Sequence, residues 1–228
     1  MKGLNAMSSN IELLTHLFEE NRNEENAGPM KKYIKGHFPF LGIKKPQRSE
    51  LEKQFFQETG FLKADFNKEF IRELWEKEER EYQYTALVYM EKSLKKLEKA
   101  DLPFMKELIT TKSWWDTVDA IAPKPVGKIA EQFPEVVAET IDGWAIDDNL
   151  WLRRAAILFQ LKYKWQTNAE LLYRYIKQNA DSKEFFIQKA IGWALREYSK
   201  TNPASVKTFI EGTQLAPLSV REGSKYLA

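Results

Sequence analysis

Apolar residues along this chain recur at spacings of three and four, and alternating, strand-like runs are scarce, so the pattern predicts an all-α protein. The first amphipathic stretch covers 11–18. Gly28-Pro29 is expected to end one segment and open the next, 30–34, with Pro29 in its first turn. An apolar connector, His37-Phe-Pro-Phe-Leu-Gly42, leads to a helix that Pro46 opens and that reaches about Gln57. Asp65 is expected to cap a helix through Trp75, followed by helices over 79–96 and 103–110. Ser113 should cap a short helix, 114–120, which Pro123 and Pro125 close. The remaining pattern predicts helices over 134–145, 150–164 (capped by Asp147 or Asp148), 167–178, 182–199 and 203–211, and a last one from Pro217.

These boundaries repeat. Small residues mark the first halves of the longer helices at Ala86, Ala120, Ala155 and Ala190, in steps of 34, 35 and 35; the same step reaches back to Leu51 and, after 33 residues, forward to Gly223. Helix pairs at this period predict an α-solenoid of about six HEAT-like repeats with a concave face, forming a single domain over 1–228. Equivalent positions on successive inner helices then line one surface. The residue before each marker is polar: Thr85, Asp119, Arg154 and Lys189. Trp115 stands one helical turn before Asp119, and Trp193 and Arg196 stand one and two turns after Lys189.

Composition narrows what that surface can do. There is no cysteine, and the two histidines, His16 and His37, share no ligand pattern, so neither thiol chemistry nor a zinc site is expected. No apolar run is long enough for a membrane span, and the N-terminus lacks a signal-peptide pattern, which together favour the cytoplasm. Net charge is only +2, yet from Arg153 onward 13 Lys/Arg face 6 Asp/Glu. Lys44, Lys45 and Arg48 add positive charge toward the other end. That asymmetry suits a polyanion, against the alternative of ordinary solvated helix surface.

The stretch Lys112-Ser-Trp-Trp-Asp-Thr-Val-Asp119 concentrates the candidate chemistry. Trp114 is expected to pack in the core and Asp116 to favour the helix dipole. Trp75, Trp144 and Trp165 are read as structural, and Trp151 as leaning toward packing. Tryptophans can pack on sugars and bases, and cations track phosphates. Asp119 is the odd member, since it repels phosphate. A carboxylate there makes sense if positive charge develops on the sugar, as it does when an N-glycosylic bond breaks.

The chain resembles the AlkD family of bacterial DNA alkylation repair enzymes, which are HEAT-like-repeat DNA glycosylases. The likeness covers nearly the whole chain. It rests on Lys112-Ser-Trp-Trp-Asp-Thr-Val-Asp119, on Asp148-Asn-Leu-Trp-Leu-Arg-Arg-Ala-Ala-Ile-Leu-Phe-Gln160, on Lys183-Glu-Phe-Phe-Ile-Gln-Lys-Ala-Ile-Gly-Trp-Ala-Leu-Arg-Glu197, and on Tyr33 and the Phe40-Leu-Gly-Ile43 connector. The resemblance implies removal of cationic N3- and N7-alkylated purines, such as 3-methyladenine and 7-methylguanine, from duplex DNA. It implies a monofunctional reaction, with no base flipping and no cofactor or metal. It assigns Asp119 as the catalytic carboxylate, Trp115 and Trp193 as the walls beside the deoxyribose, and Arg154 as a phosphate contact. Tyr33, Lys44, Lys45, Arg48, Lys162, Lys189 and Arg196 are the further DNA contacts expected. A cytoplasmic monomer, nucleoid-associated when bound to DNA, fits this reading. The rival from another class is a non-catalytic scaffold that binds DNA structures or a protein partner along the same face.

Overall fold

Among the described residues, five helices start at an asparagine. The side-chain oxygen of each accepts a hydrogen bond from the otherwise unpaired amides of the first turn: Asn23, Asn67, Asn149 and Asn168, which are extended, and Asn202. The computed structural model describes the backbone of residues 2–227 and the side chains of residues 9–227. All regular structure among them is helical. The chain divides into two compact units, residues 1–96 and 97–228.

The first unit holds α1 (Lys2–Glu20), α2 (Glu24–Tyr33), α3 (Lys45–Thr59), α4 (Lys68–Glu76) and α5 (Arg80–Lys92). Its core is aromatic: Phe55, Phe61, Phe70 and Tyr89 are buried against one another, with Phe61 and Phe70 ring centres 4.3 Å apart. The connector before α3 has no helix to satisfy its amides. The buried carboxylate of Glu81 does so instead, accepting from the backbone N–H groups of Leu41, Gly42 and Ile43 at 2.9 to 3.1 Å. Gly42 has φ of 86°, and a Cβ on it would lie 1.9 Å from the Asn23 carbonyl oxygen, so only glycine fits.

The second unit holds α6 (Leu102–Thr110), α7 (Trp115–Ile121), α8 (Gly127–Gln132), α9 (Asp142–Trp144), α10 (Leu150–Leu158), α11 (Ala169–Gln178), α12 (Phe185–Ser199), α13 (Pro203–Glu211) and α14 (Pro217–Gly223). Here the repeat is visible in the packing. α10 packs against α7 and α12, and α12 against α14, so equivalent helices of successive pairs stand side by side. Ala155 and Ala190 are fully buried where those helices meet, as the small-residue phase requires, while Ala120 is half-buried.

Several local expectations change. Pro29 lies inside α2, which starts at Asn23 rather than at the proline. Asn67, not Asp65, caps α4, and Asn149 caps α10. Asp147 serves one step earlier, accepting from the Asn149 amide at 2.8 Å. Ser113 is not a cap either: its hydroxyl donates to the Ile109 carbonyl at 2.6 Å and closes α6, while extended Trp114 begins α7. Pro123 and Pro125 do not break the helical path. A π-helical turn, Ala122–Val126, carries them from α7 into α8, because the wider turn tolerates residues that cannot donate. Trp75 and Trp144 are buried as expected, but Trp165 is 80% exposed on the short turn Lys164–Gln166.

Asn149 matters because α10 carries Arg154. Its side chain accepts from Trp151 N at 2.9 Å and from Leu152 N at 3.4 Å. Asn149→Ala is expected to lower the unfolding free energy by about 1 kcal/mol, and Asn149→Asp to restore most of it. Urea denaturation followed by circular dichroism reads both, and an unchanged midpoint in Asn149→Ala would remove the cap from the account.

Candidate functional site

The turn before α7 sets up the site. Lys112 has φ of 47°, and Trp114 is fully extended, so the two adjacent tryptophans leave the chain in different directions. Trp114 joins Trp151 of α10 and Phe186 of α12 in a cluster of three rings, with centres 5.0 to 5.6 Å apart. That cluster ties α7, α10 and α12 together at their starts. Trp115 and Asp119, four residues apart on one face of α7, instead line a cavity of about 280 Å³ together with Arg154, Lys189, Trp193 and Arg196. Asp116 stays in the first turn, where its carboxylate accepts from the Thr117 amide.

Asp119 and Arg154 are paired. The guanidinium Nε donates to one carboxylate oxygen at 2.7 Å and Nη2 to the other at 2.8 Å, a two-point contact across the α7–α10 interface. Nη1 donates to the Phe186 carbonyl, and the Phe186 ring centre lies 5.9 Å from the guanidinium carbon. The Arg154 side chain is 5% exposed and that of Asp119 17%, so the carboxylate keeps a narrow opening to the cavity. Burial pushes the Asp119 carboxyl above the usual aspartate range. Arg154's hydrogen bonds and charge pull the other way without overcoming it, and nearby Asp116 adds a small upward push.

The other sequence-derived residues fall into three groups. Trp115 and Trp193 are half-buried walls of the cavity, and Lys189 and Arg196 are cations on its rim. Lys162 is exposed and does not line it. In the first unit, Tyr33, Lys44 and Lys45 are exposed. Arg48 departs from its expected place on an exposed basic face. It is 8% exposed, bonded to Glu52 at 3.1 Å and stacked over Tyr84 at 4.6 Å. Glu52 also accepts from the Thr85 hydroxyl at 3.0 Å, so Arg48 belongs to a buried brace between α3 and α5.

Two features escaped the sequence reading. Phe185 and Phe186 complete the aromatic lining of the cavity. Glu222 of α14 also lines it and bonds to both Lys189 and Arg196. The repeat phase already pointed there, since Glu222 directly precedes the forward marker Gly223. Larger clefts exist, one of about 410 Å³ beside Trp165 and one of about 540 Å³ beside Asp142. The ion pair in the latter, Asp142 with Arg174, has side chains 32% and 51% exposed, so it lacks the burial that distinguishes the Asp119 site. Among the described residues no group of three His, Asp or Glu side chains is arranged to hold a metal, and no helix is long and apolar enough to cross a membrane.

The sequence model of a family described as DNA alkylation repair enzymes matches residues 14–227. The chain belongs to that family. A solved structure described as a predicted DNA alkylation repair enzyme from Enterococcus faecalis is 37% identical, superimposes with a TM-score of 0.82, and is matched over 91% of this chain and 97% of its own. AlkD2 from Streptococcus mutans, 20% identical, shares the fold at a TM-score of 0.59 over 80% of this chain and 98% of its own. The protein smu.31 from Streptococcus mutans UA159 does so at 20% identity and the same TM-score, over 81% and 99%. No curated protein matches the chain significantly. Membership in a DNA alkylation repair family makes the Asp119 cavity the first place to look for the family's chemistry in this chain.

Proposed function

We propose that this protein hydrolyses the N-glycosylic bond of cationic N3- and N7-alkylated purines, such as 3-methyladenine and 7-methylguanine, in duplex DNA. The observation that carries this reading is the Asp119 carboxylate, held at both oxygens by Arg154 and opening into a cavity walled by Trp115 and Trp193.

An alkylated N3 or N7 already bears positive charge, so the base leaves as a neutral purine when the C1′–N bond breaks and takes both bonding electrons. No general acid is needed. The sugar is left oxocarbenium-like, and a fixed carboxylate is the group that stabilises it. Water then adds at C1′, oriented by Asp119, and its proton passes to the Asp119 carboxylate and on to solvent. A carboxylate offers about four lone-pair positions. The two that Arg154 occupies leave others facing the cavity, and Arg154 meanwhile favours the ionised form against burial. The tryptophan faces favour positive charge and exclude bulk water. In this reading Arg154 serves Asp119 rather than a phosphate. Lys189, Arg196, Lys162, Lys44, Lys45 and Tyr33 are the candidates for the DNA backbone. The whole chain acts as one DNA-binding domain and as a cytoplasmic monomer, nucleoid-associated when bound. The reaction is monofunctional and leaves the lesion stacked.

The test is chromatography of bases released from methylated duplex DNA, with the same DNA run on a denaturing gel. Free 3-methyladenine and 7-methylguanine over uncut, abasic strands is the expected result. No released base at micromolar protein, with DNA still bound, would replace the enzyme with a binding scaffold.

A further inference from the structure

Glu222 sits among more positive charge than any other carboxylate of the site. Its Oε1 lies 3.4 Å from Lys189 Nζ, and its Oε2 lies 3.1 Å from Arg196 Nη1 and 2.8 Å from Lys225 Nζ. The Glu222 side chain is largely covered, while its three partners remain 25% to 47% exposed. Contact with Lys225, together with the other cations, holds its carboxyl below the usual glutamate range.

The backbone fixes this carboxylate in place. α14 crosses α12 at Gly192, where a Cβ would lie 2.5 Å from the Glu222 Cβ, so the helices meet backbone to backbone. Ser219 donates to the Gln188 carbonyl at 2.9 Å, and Gly223 lies against Leu195. Glu222 therefore stays between the cations, and it is the cations, on longer and more exposed side chains, that can turn away.

A phosphodiester oxygen asks for the same N–H donors that Glu222 now holds. We infer that Glu222 is an internal stand-in for a DNA backbone phosphate, keeping Lys189, Arg196 and Lys225 in register in the free protein and competing with the phosphate for them. This rests on the DNA-binding reading above and adds to it a residue that sets how weakly undamaged DNA is held. A repair enzyme must leave normal duplex quickly, and a fixed carboxylate beside the phosphate track weakens every complex regardless of sequence.

The experiment measures the affinity of the full chain for an undamaged duplex by fluorescence anisotropy, across a range of salt. Glu222→Gln is expected to bind about tenfold more tightly at low salt. Its log–log salt dependence should steepen by about 1 to 2, because freed cations now release counterions from phosphates. Glu222→Ala keeps the Cβ that packs on Gly192 and should behave the same way, which covers a folding defect peculiar to the glutamine. Unchanged or weaker binding by both variants, with wild-type thermal melts, would overturn the inference and leave Glu222 as a brace for the cations. A wild-type protein that binds no duplex at any salt would overturn the DNA-binding reading itself.

Discussion

Asp119→Asn should lower release of 3-methyladenine and 7-methylguanine by about 10²- to 10³-fold, the cost of removing one preorganised electrostatic partner of a transition state. Asparagine has nearly the same shape, so Trp115, Trp193 and the cavity should keep their places. What disappears is the negative charge that faces the developing sugar cation. DNA binding should survive and tighten slightly, because Asp119 repels phosphate. The substitution also leaves Arg154, 5% exposed, without its counter-charge, so some stability is lost. Rates therefore need to be compared well below the melting temperature of the variant, with circular dichroism as the check. Single-turnover base release with saturating DNA separates the chemical step from binding. A variant that is folded, binds DNA and excises at the wild-type rate would remove Asp119 from the mechanism.

Much of this site could be read from spacing. The phase of the small residues puts Thr85, Asp119, Arg154 and Lys189 on one stripe and separates Trp115 from Trp114; in the structure Asp119, Arg154 and Lys189 line one cavity and Trp114 packs elsewhere, while Thr85 is fully buried and bonded to Glu52. Spacing stops short where side-chain reach decides. Arg154 is long enough to meet either a phosphate or the carboxylate one repeat away, and a stripe of equivalent positions does not say which. Arg48 held a clearer signal, since Glu52 lies four residues on and an Arg–Glu pair at that spacing shares a helix face. The backward extension to Leu51 missed Glu52, because the segment over 60–67 between α3 and α4, with its short turn Phe61–Lys63, need not keep the length of the later turns. The caps were misread for another reason. Aspartate or threonine stands near asparagine at the starts of α4, α10 and α11, and only backbone geometry says which residue caps. The prolines of Ala122–Val126 read as breakers because a π turn leaves no mark in the apolar spacing.

Arg154→Gln is expected to act through Asp119, and its pH profile distinguishes that role from a phosphate contact. In the wild type, burial already holds the Asp119 carboxyl above the ordinary value of 3.8, even against the pull of Arg154. In the proposed reaction the active form is the carboxylate, so base release is expected above that raised pKa and should be lost as pH falls through it. Glutamine removes the charge and at least one of the two hydrogen bonds while leaving the burial. The pKa rises further, and the acid limb of the rate moves toward neutral pH. Stability follows the same proton. A folded-state pKa above the unfolded one means that protonation favours the folded form, so the ionised carboxylate costs stability at pH above the folded pKa. That cost fades as pH falls toward 3.8. Breaking a buried pair costs about 3 to 5 kcal/mol, and the partial opening of Asp119 to the cavity places this variant near the lower end. Arg154→Gln should thus melt earliest at neutral pH and recover part of the difference in mild acid. If Arg154 instead only grips a phosphate, the variant would bind DNA more weakly, with a salt dependence shallower by about 1. Its acid limb at saturating DNA would then coincide with that of the wild type. Base release measured from pH 4 to 8 at saturating DNA decides between the two, because the carboxylate role moves the limb and the phosphate role does not.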